Sequence, residues 1–247
     1  MLRNEASKIV AAGILLAVCF FIPTASFCQV KWINVDADFG PLPSTVQVFK
    51  TTDSLDGKPF IAFYVKAKLK DPKLDFTVDT TLGRRLTPLQ FYEKNEKPLV
   101  VVNTTFFSFS TNQNLNVVIK KGKVVGYNIH SIPMKGKDTL QYRHPIGSAI
   151  GISKNRNADV AWIFTDSLQK FSFAMQLPGK AVKDSISNLD LKRLYSILYP
   201  DPEPIAPPNF TFEKWKMKTA IGGGPVLVQA GKIKITNEEE LKFTGKA

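Results

Sequence analysis

Two short runs stand out as places where this sequence could do chemistry: Gly222-Gly223-Gly224-Pro225 and Asn103-Thr104-Thr105-Phe106-Phe107. Adjacent glycines strip the main chain of Cβ atoms, at an entropic cost that an ordinary loop does not carry. Such a stretch either makes an unusual turn or lets another group approach the backbone amides, and chain physics leaves both open. The phosphate-loop templates do not fit, because no Lys-Ser or Lys-Thr follows and no Gly-x-Gly-x-x-Gly spacing exists. An anion held here would rest on bare amides in a nest-like loop, away from any helix N-terminus. Asn103 closes an apolar run, and polar residues at the ends of buried strands are where open sheets place ligand groups. An asparagine bonding its own turn is the plainer alternative. Of Phe106 and Phe107, at least one reads as ordinary core.

The remaining reactive side chains form no recognisable set. His130 and His144 are the only histidines, and neither has a carboxylate close in sequence. No His/Asp/Glu spacing suits a metal-binding helix, and no Gly-x-Ser-x-Gly elbow occurs. Both histidines therefore read as structural or loop residues. A carboxylate pair of the glycosidase type cannot be chosen by spacing, since Asp36, Asp38, Asp79 and Asp166 all read as surface residues. No cofactor motif is evident, and the question of a divalent cation stays open.

The N-terminus reads as a leader. Arg3 and Lys8 precede an uninterrupted apolar run from Ile9 to Ile22, shorter than the roughly 20 residues that span a bilayer. Ser26-Phe27-Cys28 before Gln29 has the small-x-small form of a cleavage site, so residues 1–28 are expected to be removed. The mature chain is then exported, periplasmic or secreted, with no membrane span left. A lipid anchor at Cys28 is the competing reading, disfavoured by the bulk of Phe27. The 2 cysteines, Cys19 and Cys28, both lie in this leader, so the mature chain has no thiol for a disulfide, a nucleophile or a metal.

The chain carries a formal +12, spread along its length rather than clustered, so no nucleic-acid stripe is visible. A solvated basic surface accounts for it; an anionic partner such as a phosphate-bearing glycan is the sharper reading.

The elements that must position the two runs follow from local pattern. TVQVFKTT and PFIAFYVKAKL, around Asp56-Gly57, read as a hairpin. Thr87-Pro88 opens a short helix through residue 95. PLVVVN then reads as a buried central strand ending at Asn103. Further hairpins are expected about Lys121-Gly122 and Ala230-Gly231, and a strand pair at 148–153 and 159–166. A helix is expected at 187–199, with Leu191, Leu194, Ile197 and Leu198 on one face. Residues 200–208 are proline-rich loop, and Thr236 with Glu239 forms a capping box for a last helix. Without a regular βαβ repeat, the class is α+β: a mixed, largely antiparallel sheet with helices packed on its faces. Residues 29–59 form a lead-in and first strand, and 60–247 the main domain.

In their order, VVVNTTFF, the Lys121-Gly122-Lys123 hairpin, SAIGIS and AIGGGPVLVQAGKI resemble the phosphodiester glycosidase family over about residues 60 to 247. Its Asn-x-x-Phe-Phe motif matches Asn103, Phe106 and Phe107, with Thr104 and Thr105 where many members have glycine. Its Gly-Gly-Gly-Pro-x-Leu-Val motif matches Gly222, Gly223, Gly224, Pro225, Leu227 and Val228. Members hydrolyse a sugar 1-phosphodiester and leave a phosphomonoester, so the resemblance implies an anionic glycan or sugar-phosphodiester substrate. It implies a pocket lined by Asn103, Thr104, Phe107 and Gly222 to Pro225. The family continues into a Pro-Arg-Thr-Ala-Ile-Gly segment, an Asp-Gly-Arg strand end and a Leu-Asp-Gly-Gly-Gly-Ser turn, none of which precedes Ala247. The Arg and Asp expected to handle charge and protons are therefore missing, and no catalytic residue is assigned. The sheet is expected to be incomplete at its C-terminal end. A fragment fits this better than a degenerate member, because the last helix is capped while nothing after it closes the sheet.

Overall fold

The computed structural model describes residues 30–179, 182–198 and 211–240. The leader and the proline-rich segment at 200–208 lie outside them. Two compact units divide the chain after Lys68.

The first unit is a three-stranded antiparallel sheet. Strands β1 (Ile33–Asn34), β2 (Val46–Thr51) and β5 (Ala62–Ala67) lie in the order β1-β2-β5. The small hairpin β3 (Ser54–Leu55) and β4 (Lys58–Pro59) intervenes about Asp56-Gly57. Because β5 pairs with β2 along its whole length, from Val46↔Ala67 to Thr51↔Ala62, it belongs to this unit. The division therefore falls beyond the expected boundary at residue 59. Val46 and Val48 are buried, while Tyr64 stacks on Phe49 and meets the edge of Trp32.

The second unit opens with an extended stretch and helix α1 (Pro88–Lys94), which has the expected start. Thr87 accepts from the amide of Gln90, the Gln90 side chain accepts from Thr87, and Pro88 sits in the first turn. The main sheet takes β6 (Val118–Lys120), β7 (Lys123–Gly126), β10 (Ser148–Ile152), β11 (Ala158–Asp166), β12 (Phe171–Met175), β14 (Glu213–Lys214) and β15 (Thr219–Gly223). Their order is β14-β12-β11-β10-β15-β6-β7, antiparallel throughout. Beside it, β8 (Ile132–Pro133), β9 (Tyr142–His144) and β13 (Val182–Asp184) form a small sheet. Helix α2 (Leu191–Leu198), hairpin β16 (Val228–Gln229) and β17 (Lys232–Ile233), and helix α3 (Asn237–Glu240) complete the unit.

Alternation along the strands sorts two cores onto opposite faces of this sheet. One holds Val117, Ile119, Ala149, Ala161, Ile163, Ala174, Trp215 and Ala220, with Val124 packed against it. Val124 on β7 and Ala174 on β12 share that cluster because the sheet curls until β7 meets β12. The alanines, with Gly151 and Gly222, keep the enclosed face thin enough to curl. The other core joins Trp162, Phe164, Phe173 and Met175 to Ile146, Phe212, Val226 and Leu194 of α2. Leu191 packs beside them as expected; the side chains of Ile197 and Leu198 lie outside the described residues.

The result is the expected largely antiparallel sheet, more sheet-dominated than a balanced α+β fold, with strands in 34% of the chain against 11% helix. Two expectations change. Residues 98–103 form no strand: they have no regular structure, and Leu99 and Val102 are exposed by 50% and 67%. Their apolarity predicts burial, but no strand among the described residues pairs with them. Conversely, Gly222 and Gly223, read as part of a loop or turn, end the strand β15 that joins β10 to β6 within the sheet. Glycine weakens a strand without forbidding it.

Candidate functional site

The ends of β10 and β15 bring the two runs together. Ser148 pairs with Gly223 and Ala149 with Gly222. A Cβ on Gly223 would stand 3.0 Å from the carbonyl oxygen of Thr104, so the Asn103-Thr104 backbone lies against the middle glycine. Asn103 and Thr104 are exposed, although they do not end a buried strand. Beyond them the chain doubles back: the amide of Leu115 donates to the carbonyl of Phe106 at 3.0 Å, and Phe107 bridges Asn114. Neither phenylalanine is core, with Phe106 46% and Phe107 37% exposed. Phe107 instead packs on Phe109, and the Arg85 guanidinium lies over both rings.

The three glycines are required for different reasons. At Gly222, which is buried, a Cβ would meet the Asn116 Cβ at 2.7 Å and the Val117 nitrogen at 3.0 Å. At Gly224, φ is +127°, and a Cβ would fall 2.7 Å from Glu240 Oε2 and 2.9 Å from Ser148 Oγ. The protein itself fills the space at both positions. Only Gly223 faces a single close atom, so it is the glycine whose bare backbone a ligand could exploit. Pro225 follows through a cis peptide bond.

Two residues that sequence reading missed organise this place. Asn116 accepts the amide of Phe106 at 3.0 Å through Oδ1 and lies under Gly222, linking both runs through one side chain. Its only sequence signal is the alternation Asn112, Asn114, Asn116 ahead of an apolar strand. Glu240 is 2% exposed and reaches back from α3 to the glycine turn. Its carboxylate accepts from Ser148 Oγ at 2.7 Å, Trp162 Nε1 at 2.9 Å, Val226 N at 3.1 Å and Thr236 Oγ1 at 2.5 Å. Thr236 thus meets Glu240; the side chain of Glu239, its expected capping partner, lies outside the described residues.

The histidines have partners that are distant in sequence. His144 is 1% exposed, with Nε2 at 2.9 Å from Asp184 Oδ1 and Nδ1 at 3.0 Å from Ser131 Oγ. This resembles a nucleophile relay in composition only. Nδ1 also lies 2.9 Å from the carbonyl of His130; a carbonyl only accepts, so Nδ1 carries a proton and offers Ser131 no lone pair. The group ties β9 to β13, and Asp184 continues to Arg193 of α2 at 3.3 Å. Burial alone would raise the Asp184 carboxyl, but hydrogen bonds from His144, the Ile186 amide and Arg193 outweigh it and hold it below the usual carboxylate range. His130 is half-buried, stacked on Phe164, and accepts the amide of Thr165 at 3.0 Å. Burial lowers it to about 4, assisted by nearby His144 and opposed by the Thr165 carbonyl 3.0 Å from Nε2, which favours the protonated ring.

The candidate acids are also committed to structure. Asp36 accepts the Val48 amide at 2.6 Å, and Asp166 caps a turn through the amides of Leu168 and Gln169. Asp79, read as a surface residue, is only 14% exposed and bridges Lys94 and Lys120 at 2.6 and 2.7 Å. Burial pushes its carboxyl up, but the hydrogen bonds from Lys120, Lys94 and Asn95 win and hold it far below the usual range. Asp38 is exposed on a short 3-10 turn. Among the described residues, no group of three or more His, Cys, Asp or Glu side chains could hold a metal ion. Nor is any helix among them long and apolar enough to cross a membrane.

No protein-family model matches the chain, and no curated protein or solved structure matches it.

Proposed function

We propose that this protein is an exported hydrolase that cleaves a sugar 1-phosphodiester in the cell envelope. One observation carries the reading: two runs far apart in sequence converge, with the Thr104 carbonyl against Gly223 and Asn116 bridging Phe106 to the strand beneath Gly222. In this reading the exposed Asn103 side chain and the backbone left uncovered at Gly223 receive the phosphodiester. Phe107 and Pro225 flank it. The basic excess of the surface favours an anionic substrate. Hydrolysis breaks the bond between the anomeric carbon and the phosphate oxygen. Water supplies the oxygen of the freed sugar, and the phosphate keeps the electron pair of the broken bond. None of the carboxylates and histidines described above is assigned as acid or base, because each with a described role is bound into the structure.

The test is to express the whole gene product and offer it methyl phosphodiesters of several α-sugar 1-phosphates. Free sugar and methyl phosphate, followed by phosphorus NMR, are the expected products. Saturable binding without turnover would replace the enzyme with a non-catalytic glycan-binding protein; neither binding nor turnover removes both. Asn103→Ala is expected to cut turnover roughly ten-fold or more, the effect of losing one hydrogen bond to a charged group. Its melting temperature should stay close to wild type, since Asn103 is exposed. A large fall in stability with unchanged turnover would assign Asn103 to the fold instead.

A further inference from the structure

Glu240 is a buried carboxylate without an ion-pair partner among the described residues, and it does nothing in the reading above. Buried charge is costly unless it is hydrogen-bonded or paired, so this side chain needs a physical reason to be there. Its surroundings supply one. Oε1 receives Trp162 Nε1 at 2.9 Å, Val226 N at 3.1 Å and Thr236 Oγ1 at 2.5 Å; Oε2 receives Ser148 Oγ at 2.7 Å and Ser148 N at 3.3 Å. Three of the five are N–H groups that can only donate. They come from the paired strands β10 and β11 and from the turn after Pro225, so one carboxylate ties the turn to two strands beside it. Oε2 also occupies the space that a side chain on Gly224 would need.

We infer that Glu240 is the positioning residue of the glycine turn: its carboxylate fills a five-donor anion cradle and thereby fixes the course of Gly223 to Val226. Gly224 has no side chain and Pro225 no amide hydrogen, so past Gly224 the next amide donor is that of Val226, and Glu240 takes it; Thr236 holds the Val226 carbonyl. The activity consequence rests on the proposed phosphodiester-glycosidase reading; the structural consequence does not. Gln is a poor substitute, because a carboxamide turns an N–H₂ group towards donors on one side of the cradle.

Chemical rescue tests this. Glu240→Ala in the full chain leaves five donors around a space the size of a small carboxylate. Formate should restore its lost thermal stability saturably, equal concentrations of chloride should not, and formate should leave wild type unchanged. Glu240→Gln should be destabilised without rescue. In amide exchange, Val226 should exchange roughly ten-fold faster or more in Glu240→Ala than in wild type, with β11 amides unaffected. Formate indifferent relative to chloride, or Val226 protection equal to wild type, would overturn the inference. Should Glu240→Ala yield no soluble protein, Ser148→Ala removes the 2.7 Å donor and is read by Val226 exchange alone, with the same two outcomes. If wild type hydrolyses the phosphodiester probes, formate should recover turnover in Glu240→Ala together with stability. If wild type is inactive, the proposed activity fails while rescue and exchange still decide the role of Glu240.

Discussion

Gly222→Ala is expected to destabilise the protein by about 1–3 kcal/mol, the usual cost of forcing an extra carbon into a packed core. Gly223→Ala should cost much less and act on function. The two residues are adjacent, but their surroundings differ. The new methyl at 222 points at the Asn116 Cβ at 2.7 Å, the Val117 nitrogen at 3.0 Å and its Cγ1 at 3.2 Å. Val117 is fully buried, and its carbonyl accepts the amide of Gly222 at 2.7 Å. No flexible side-chain end can yield there, so β15 and β6 must part or Asn116 must release Phe106. At 223 the only close atom is the Thr104 carbonyl at 3.0 Å, carried by an exposed, unpaired segment that can shift by a few tenths of an ångström. Urea melts of both variants, with turnover measured beside them, check this. Gly223→Val should abolish turnover by filling the approach to the amides while the protein stays folded. Gly223→Ala melting below Gly222→Ala, or a folded Gly223→Val with full turnover, would count against it.

Stability is expected to fall by about 2 kcal/mol between pH 7 and pH 5, through His130. Burial against Phe164 lowers this imidazole from the ordinary 6.5 to about 4, with His144 adding to the shift and Thr165 opposing it. The folded chain therefore holds the neutral ring in a range where the unfolded chain already takes up a proton. That contribution is complete above about 6.5, shrinks as pH falls, and is gone near 4, to a total of about 3 kcal/mol. The carboxylates with lowered values titrate outside this window. Asp184 and Asp79 are held below the usual carboxylate range, so their stabilisation is kept at pH 5 and lost only as pH falls through those lowered values. His130→Gln, whose side-chain oxygen can still accept the Thr165 amide, should be weaker at pH 7 and nearly flat from 7 to 5. Urea midpoints at the two pH values decide it; an unchanged slope in the variant would assign the acid sensitivity elsewhere.

The parts of the fold legible in the sequence are those set by a few neighbouring residues. Asp56-Gly57, Lys121-Gly122 and Ala230-Gly231 each take positive φ at both positions, the geometry of tight hairpin turns. Glycine at the second position announces each one. The runs at 148–153 and 159–166 read as paired strands, and strands form at Ser148–Ile152 and Ala158–Asp166. Thr87, Pro88 and Gln90 cap α1 within a single turn. The two runs that open the candidate site were visible for the same reason: composition marks them wherever they end up in space.

Only the tertiary structure decided what those segments meet. PLVVVN has the composition of a central strand, yet a strand exists only where a neighbour exchanges hydrogen bonds with it, and the sheet closes through Thr219–Gly223 instead. His144 and Asp184, or Glu240 and Ser148 at a separation of 92 residues, carry no local signal. Their contacts form only after the sheet has curled and α3 has returned to it. What each of the three glycines meets was likewise decided by neighbours: Asn116 and Val117 demand Gly222, and Glu240 and Ser148 demand Gly224. Among the described residues, only the Thr104 carbonyl comes close to Gly223. Backbone preference acts over a few residues and can be read along the chain, whereas burial, pairing and the completion of a polar cradle depend on partners brought from elsewhere.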